Sequence, residues 1–344
     1  NLVAPEMLLP GQRILVDRWA RVWQGLSPWQ TVAFRSPQDQ KRLEVKRIVA
    51  RDHGIVSIHQ GNVFVDGKIQ RKTLEQLRAL RVLVHDDSYR CSDEQVLGGR
   101  WSPPMADSRW KPTKFGYVAS AAPSVHAGRL DWLFYRQWTC WPNPSPPVAR
   151  AEPTETVDHY GYNQSLSRGP LRRVPDVMVE CQVRSLDADR VVFQLTDAAN
   201  RFAIEFQPLG GAQRLSLNGN MVQEGRREFG SEPWNVEVAL CDQQLLAAID
   251  GELVFRLAYR SSGSSPTASG PVIGIAAEGT VELSQLRVYR DLFYLGPDGG
   301  TDWTSSQPLA NGESFILGDN TPISIDSRHG TYVPDEAVLG PIVE

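Results

Sequence analysis

Cysteine is scarce in this 344-residue chain and never closely spaced: Cys91, Cys140, Cys181 and Cys241 lie far apart, with no C-x-x-C pair. That spacing excludes a zinc ribbon within the chain and favours free thiols over a disulfide framework. No window holds the roughly 18 apolar residues of a membrane-spanning helix, and no charged-then-apolar signal segment opens the chain. Positive charge is not in surplus. Lys and Arg number 36 against 40 Asp and Glu, a formal charge of −4, and no basic run stands out, so electrostatics speak against a nucleic-acid partner. What is present is an ordinary globular balance, 41% apolar and 22% charged, in a chain long enough for two domains.

Residues 11–68 carry β-forming runs broken by turns, among them "GIVSIHQGNVFVDGK", where Asp66-Gly67 is a hairpin signal. Residues 72–84 read as one short helix, with Leu74, Leu77 and Leu80 at helical spacing. From 91 to 175 the chain is rich in Trp, Pro, Gly and Ser and reads as irregular. Then short alternating runs follow one another: "DVMVECQVR" (176–184), "RVVFQLTD" (190–197), "RFAIEFQ" (201–207), "WNVEVALC" (234–241), "PVIGIAAE" (271–278) and others. Regularly spaced short strands predict an antiparallel β-sandwich. Asp250-Gly251 marks a hairpin within it. The pattern is one β domain interrupted by another.

Residues 318–330 read "GDNTPISIDSRHG", and the run before them, Ser314 to Leu317, reads as a buried strand end. Polar side chains set against such a strand must find partners or cost stability. In an extended segment the i, i+2 spacing puts Ser324, Asp326 and Arg328 on one face, with Asp319 and Asn320 capping the turn. Two further runs, "GQRILVDRWA" (11–20) and "LEVKRIVA" (43–50), belong with this one. Together the three resemble type I signal peptidases, the membrane-anchored serine endopeptidases that release exported proteins. The first is similar to the strand after the family's nucleophile segment. The second is similar to its lysine segment, V-K-R-x-V-G, and the third to its G-D-N-x-x-x-S-x-D-S-R. With "GNVFVDGK" (61–68) and "VPDEAVLGP" (333–341) the resemblance covers roughly 1–85 and 294–344. The run ending in "LRVYRDLFY" (286–294) resembles the large insertion of planctomycete-type members, and also concanavalin-like lectin sandwiches.

The resemblance implies a mainly β fold: a signal-peptidase-like catalytic β domain at 1–85 and 294–344, interrupted by an inserted segment at 86–293. Its antiparallel, concanavalin-like β-sandwich occupies 176–293. The implied chemistry is a Ser–Lys dyad, in which a lysine amine replaces histidine as the base. Such an amine works uncharged, a form that burial favours. Lys46 carries over as the general base; the bland alternative is a strand-edge lysine that discourages aggregation. Ser324 carries over as the hydroxyl that aims the amine, and Asp326 and Arg328 as the buried pair bracing the loop. Their alternative is a surface pair worth about 0–1 kcal/mol. The nucleophile is not in this chain. "NLVAPEMLLP" (1–10) lacks the family's S-M-x-P-T, and the first serine, Ser27, sits in a turn. The nucleophilic serine is expected upstream of residue 1. Other departures are "ARDHGI" (50–55), with Ala50 for Gly and Asp52 for Pro, and His329-Gly330 where the family has Trp. His53 is weighed as another base and read as solvated.

The implied partners are signal-peptide-bearing preproteins and a membrane surface, with no cofactor and no metal. The implied location is membrane-anchored through a segment before residue 1, with the catalytic domain on the extracytoplasmic side. The alternative is a catalytically inactive relative, serving as a glycan- or protein-binding module through the inserted sandwich. Trp19, Trp23 and Trp29 read either as headgroup anchors or as core. "HDD" (85–87) has metal-ligand residue types without a partner at ligand spacing and reads as a solvated loop. "DWLFYRQWTCW" (131–141) is aromatic enough for a sugar or peptide groove, with buried packing between the two β domains as the other reading.

Overall fold

The computed structural model describes residues 13–23, 25–90, 99–120, 128–141, 150–153, 155–158, 171–197, 200–261 and 273–343. The chain divides into two compact units, one from 1–70 and 293–344, the other from 71–292. In the first, six strands form one sheet in the order Leu15–Val16, Val338–Val343, Thr31–Arg35, Leu43–Arg51, Glu313–Leu317, Val333–Pro334. Val32, Phe34, Ile48, Ile316, Val333 and Val338 make its apolar core. The strand Leu43–Arg51 changes character along its length. Its first residues alternate and stay accessible, whereas Ile48, Val49 and Ala50 are a buried apolar run. A second sheet of four strands orders Asp302–Thr304, Val56–His59, Asn62–Val65 and Lys68–Ile69. Asp66 and Gly67 turn its hairpin with φ of 50° and 72°, the doubly left-handed turn that matches strand twist.

The second unit is a β-sandwich. One sheet orders Glu252–Ala258, Gln244–Ile249, Trp234–Cys241, Val177–Ser185, Val281–Arg290, Gly116–Ala119 and Trp110–Thr113, with Val82–Asp86 pairing Val281–Arg290 at one end. The other orders Asn220–Arg226, Ala212–Leu217, Asn200–Gln207, Arg190–Asp197, Ile273–Glu278, Asp131–Tyr135 and Trp101–Ser102. Alternation decides the inner faces. Val177, Val179, Cys181 and Val183 from one sheet share a core with Phe193, Phe202, Ile204, Phe206 and Ile275 from the other. Cys181 and Cys241 are buried free thiols; Cys91 lies outside the described residues. The helix Leu74–Leu80 begins at a capping box, Thr73 with Gln76. Its Leu74 and Leu77 cover Met178, Ala239, Leu246 and Ala248 on the back of the first sheet, which explains why residues 245–249 are apolar and buried on both faces.

Several expectations need correcting. The helix predicted over 72–84 stops at Leu80, because Arg81 turns extended and Val82–Asp86 pairs as a strand. Both lie in the compact unit from 71 to 292. The segment read as irregular supplies four strands to the sandwich, which starts well before residue 176. "HDD" is not solvated: His85 and Asp87 are buried, and Asp87 takes two hydrogen bonds from Arg90.

Candidate functional site

Lys46 and Ser324, 278 residues apart in sequence, meet in the first unit. The Lys46 amine donates to Ser324 Oγ at 2.7 Å. Gly318 makes the contact possible, since a Cβ there would stand 1.9 Å from Ser324 Oγ and 3.2 Å from Lys46 Nζ. Next to it, Arg47 forms a fork on Asp319, Nε to Oδ1 at 3.0 Å and Nη2 to Oδ2 at 2.8 Å. Asp319 is therefore more than a turn cap. Asn320 keeps the turn, its carbonyl accepting from Ser324 N at 3.0 Å.

Asp326 and Arg328 are buried and bidentate, both contacts 2.7 Å, with side chains 0% and 2% exposed. Asp326 also accepts from Gly318 N at 3.0 Å. Nη1 donates to the Leu295 carbonyl at 2.7 Å, and Nη2 is also shared between the carbonyls of Thr321 and Ser324, at 3.1 and 3.3 Å. Arg328 thus holds the backbone of the residue that holds Lys46. The extended segment expected here is absent. Asp326 instead caps a 3-10 turn over Ser327–His329, so the three polar side chains cooperate by folding the loop around one guanidinium. Ser27 and His53 are exposed, and among the described residues Ser324 is the hydrogen-bond partner of the Lys46 amine. Trp29 is buried, while Trp19 and Trp23 are 73% and 80% exposed.

A second polar cluster lies in the second unit. The Lys72 amine sits between Asp242 Oδ1 at 2.6 Å and Asp291 Oδ2 at 2.7 Å, all three side chains 2% exposed. Asp176 completes a group of carboxylates within 4.8 Å of one another, a spacing able to hold a metal ion, although the ammonium takes the cation's place. Burial opposes the charge on Lys72, yet Asp242 and Asp291 outweigh it and hold the amine well above its ordinary range. Burial pushes Asp242 up, against the pull of Lys72. It also pushes Asp176 well up, with repulsion from Asp242 and Asp291 added.

The outer face of the second sheet carries an aromatic pair. Along Asp131–Tyr135, Leu133 and Tyr135 enter the core while Trp132 and Phe134 turn outward and stay half-exposed. Their rings are parallel within 2°, centroids 5.4 Å apart. Gly274 lies beneath them; a Cβ there would come within 2.7 Å of the Phe134 ring. Register continues the face as Ala276, Val192, Glu205 and Arg214 in one row, and Gly274, Gln194, Ala203 and Ser216 in the next. Arg190 is paired with Glu278 at 2.7 Å and Arg214 with Glu205 at 3.3 Å. The result is an aromatic wall, a covered strip at Ala276 and Val192, and a half-buried polar side at Gln194 and Glu205. The aromatic run was visible in the sequence, and its period of two already separates Trp132 and Phe134 from the core positions. Lys72 and its carboxylates gave no sequence signal.

No protein-family model and no curated protein match the chain. Solved structures similar to it include a carbohydrate-binding module from Bacillus subtilis, at 10% identity and TM-score 0.34 over 55% of this chain and 94% of that one. A Bacillus subtilis protein with a galectin-like fold gives 9%, 0.36, 61% and 97% in the same order. A β-glucanase from Bacillus licheniformis gives 11%, 0.35, 56% and 93%. At scores this low the fold rests on the strand pairing itself.

The identification as a type I signal peptidase is corrected. No family model matches the chain, and none of the solved structures named above is a signal peptidase. The matched motif has a physical explanation without catalysis, because Gly318, Ser324, Asp326 and Arg328 are what this loop needs in order to close. The serine-endopeptidase activity and the preprotein partners fall with it. So does the membrane-anchored placement; no described helix is long and apolar enough to cross a membrane.

Proposed function

We propose that the chain is a glycan-binding protein whose site is the outer face of the second sandwich sheet, centred on Trp132 and Phe134. The observation that carries this reading is the parallel aromatic pair laid over Gly274, with half-buried Gln194, Ala203 and Glu205 on the same face. A sugar ring offers an apolar C–H face and a rim of hydroxyls. Aromatic faces carry negative charge density that attracts C–H groups, and a few placed polar groups, here Gln194 and Glu205, fix orientation. Screening the full chain on a glycan array tests it. Trp132→Ala and Phe134→Ala should each weaken retained glycans at least tenfold, about 1.4 kcal/mol, with the fold intact because both rings are half-exposed. Unchanged binding in both variants would remove this face from the function.

A second proposal concerns Lys46 alone, with no peptide-bond chemistry attached. Its amine serves as the reactive group of this loop, aimed by its 2.7 Å donation to Ser324 Oγ, with Arg328 and Asp326 bracing the loop that carries Ser324. Acylation of Lys46 by an amine-reactive reagent should be faster in Ser324→Ala than in the parent. Equal rates would mean that the hydroxyl does not control the amine.

A further inference from the structure

The buried cluster around Lys72 sets an amine directly against carboxyl groups in a place closed to solvent. Residue 72 is fixed along its backbone as well: its N–H donates to Asp242 Oδ2 at 2.9 Å, and its carbonyl accepts from Gln244 Nε2 at 2.6 Å. Asp242 N donates to Asp176 Oδ2 at 2.9 Å, and Leu292 N to Asp291 Oδ1 at 2.8 Å. Amine and both flanking carboxyl groups are therefore held in place before any reaction. Prepositioning of this kind can be worth effective concentrations of about 10⁵–10⁸ M.

We propose that Lys72 Nζ and Asp242 Cγ join in an intramolecular amide bond, with Asp291 carrying the proton. The ion pair first shifts its proton across the 2.6 Å hydrogen bond, giving a neutral amine beside a carboxylic acid. Asp242 and Asp291 hold the Lys72 amine protonated, so this neutral pair is the minor form, made accessible because burial penalises both charges and pushes Asp242 up. Nζ then attacks Cγ. One amine hydrogen passes to Asp291, which returns it to the departing Asp242 hydroxyl, and the C–O bond breaks as C–N forms. The balance is one amine plus one carboxylic acid giving one amide plus one water, with no oxidant or reductant. Asp242 Oδ2 remains as the amide oxygen, already facing the Lys72 backbone N–H. The product removes an ammonium and a carboxylate from the interior.

Intact mass of the denatured full chain reads the outcome. The parent should weigh one water less than its sequence, and digestion should yield a branched peptide joining the fragments of Lys72 and Asp242. Lys72→Arg keeps a cation but cannot form the bond, and should recover the full mass. A parent of full mass with Lys72 in a linear peptide overturns the proposal. So does a water loss traced to the Asp66-Gly67 or Asp250-Gly251 turns, or a branch at Asp291.

Discussion

Replacing Asp326 by alanine should cost the first unit a large share of its margin. The carboxylate has four hydrogen-bond donors on it: Arg328 Nε and Nη2 at 2.7 Å, Gly318 N at 3.0 Å and Arg328 N at 3.3 Å. Its loss strands a guanidinium that is 2% exposed. Breaking a buried pair by removing one partner costs about 3–5 kcal/mol, against a total stability of roughly 5–15 kcal/mol for a domain. Arg184 with Glu282, side chains 51% and 47% exposed at 3.6 Å, is the internal control. Glu282→Ala should cost about 0–1 kcal/mol. Urea unfolding of the full chain, with amide hydrogen exchange on peptides covering 313–338, reads both. Asp326→Ala should lower the first transition and expose those amides, whereas Asp326→Leu with Arg328→Leu should recover part of the loss. An Asp326→Ala cost no larger than the control would refute the claim that this pair holds the loop.

Gly318→Ala places a methyl 1.9 Å from Ser324 Oγ. Overpacking and the lost Lys46 bond should together cost about 1–3 kcal/mol in urea unfolding, and a neutral result would mean the loop shifts freely. Asp176, held well above the ordinary carboxylate range by burial and its acidic neighbours, keeps in the folded state a proton that the unfolded chain gives up near about pH 3.9. Stability should therefore fall as pH rises from that value toward the raised one. Asp176→Asn should flatten this slope and raise stability at neutral pH; an unchanged slope assigns it to other groups. Asp87 has the opposite sign: burial raises it, but His85 and Arg90 outweigh that and hold it low. Its contribution is present above the ordinary carboxylate value and is lost as pH falls through the lowered one, so Asp87→Asn should make acid unfolding shallower.

What the sequence made legible was local. Asp66-Gly67 and Asp250-Gly251 turn where expected, both pairs at positive φ, because turn chemistry is written in adjacent residues. "DVMVECQVR" forms a strand of the sandwich as its alternation predicts, with Val177, Val179, Cys181 and Val183 on the inner face. Short strands such as Trp101–Ser102 and Trp110–Thr113 were missed, since two to four residues beside Pro and Gly carry no period and become strands only when a long neighbour pairs with them. The Lys46–Ser324 contact was reachable through a motif, yet that motif encodes the closing of a loop and does not by itself encode a reaction. Lys72 and Asp242 stand 170 residues apart, and nothing local in either run announces the other.

The indole N–H resonance of Trp132, followed while a glycan retained on the array is titrated into the full chain, bears most directly on the binding face. The account predicts a saturable shift at Trp132 with the buried Trp234 unmoved. A glycan that binds while Trp132 stays silent would contradict it.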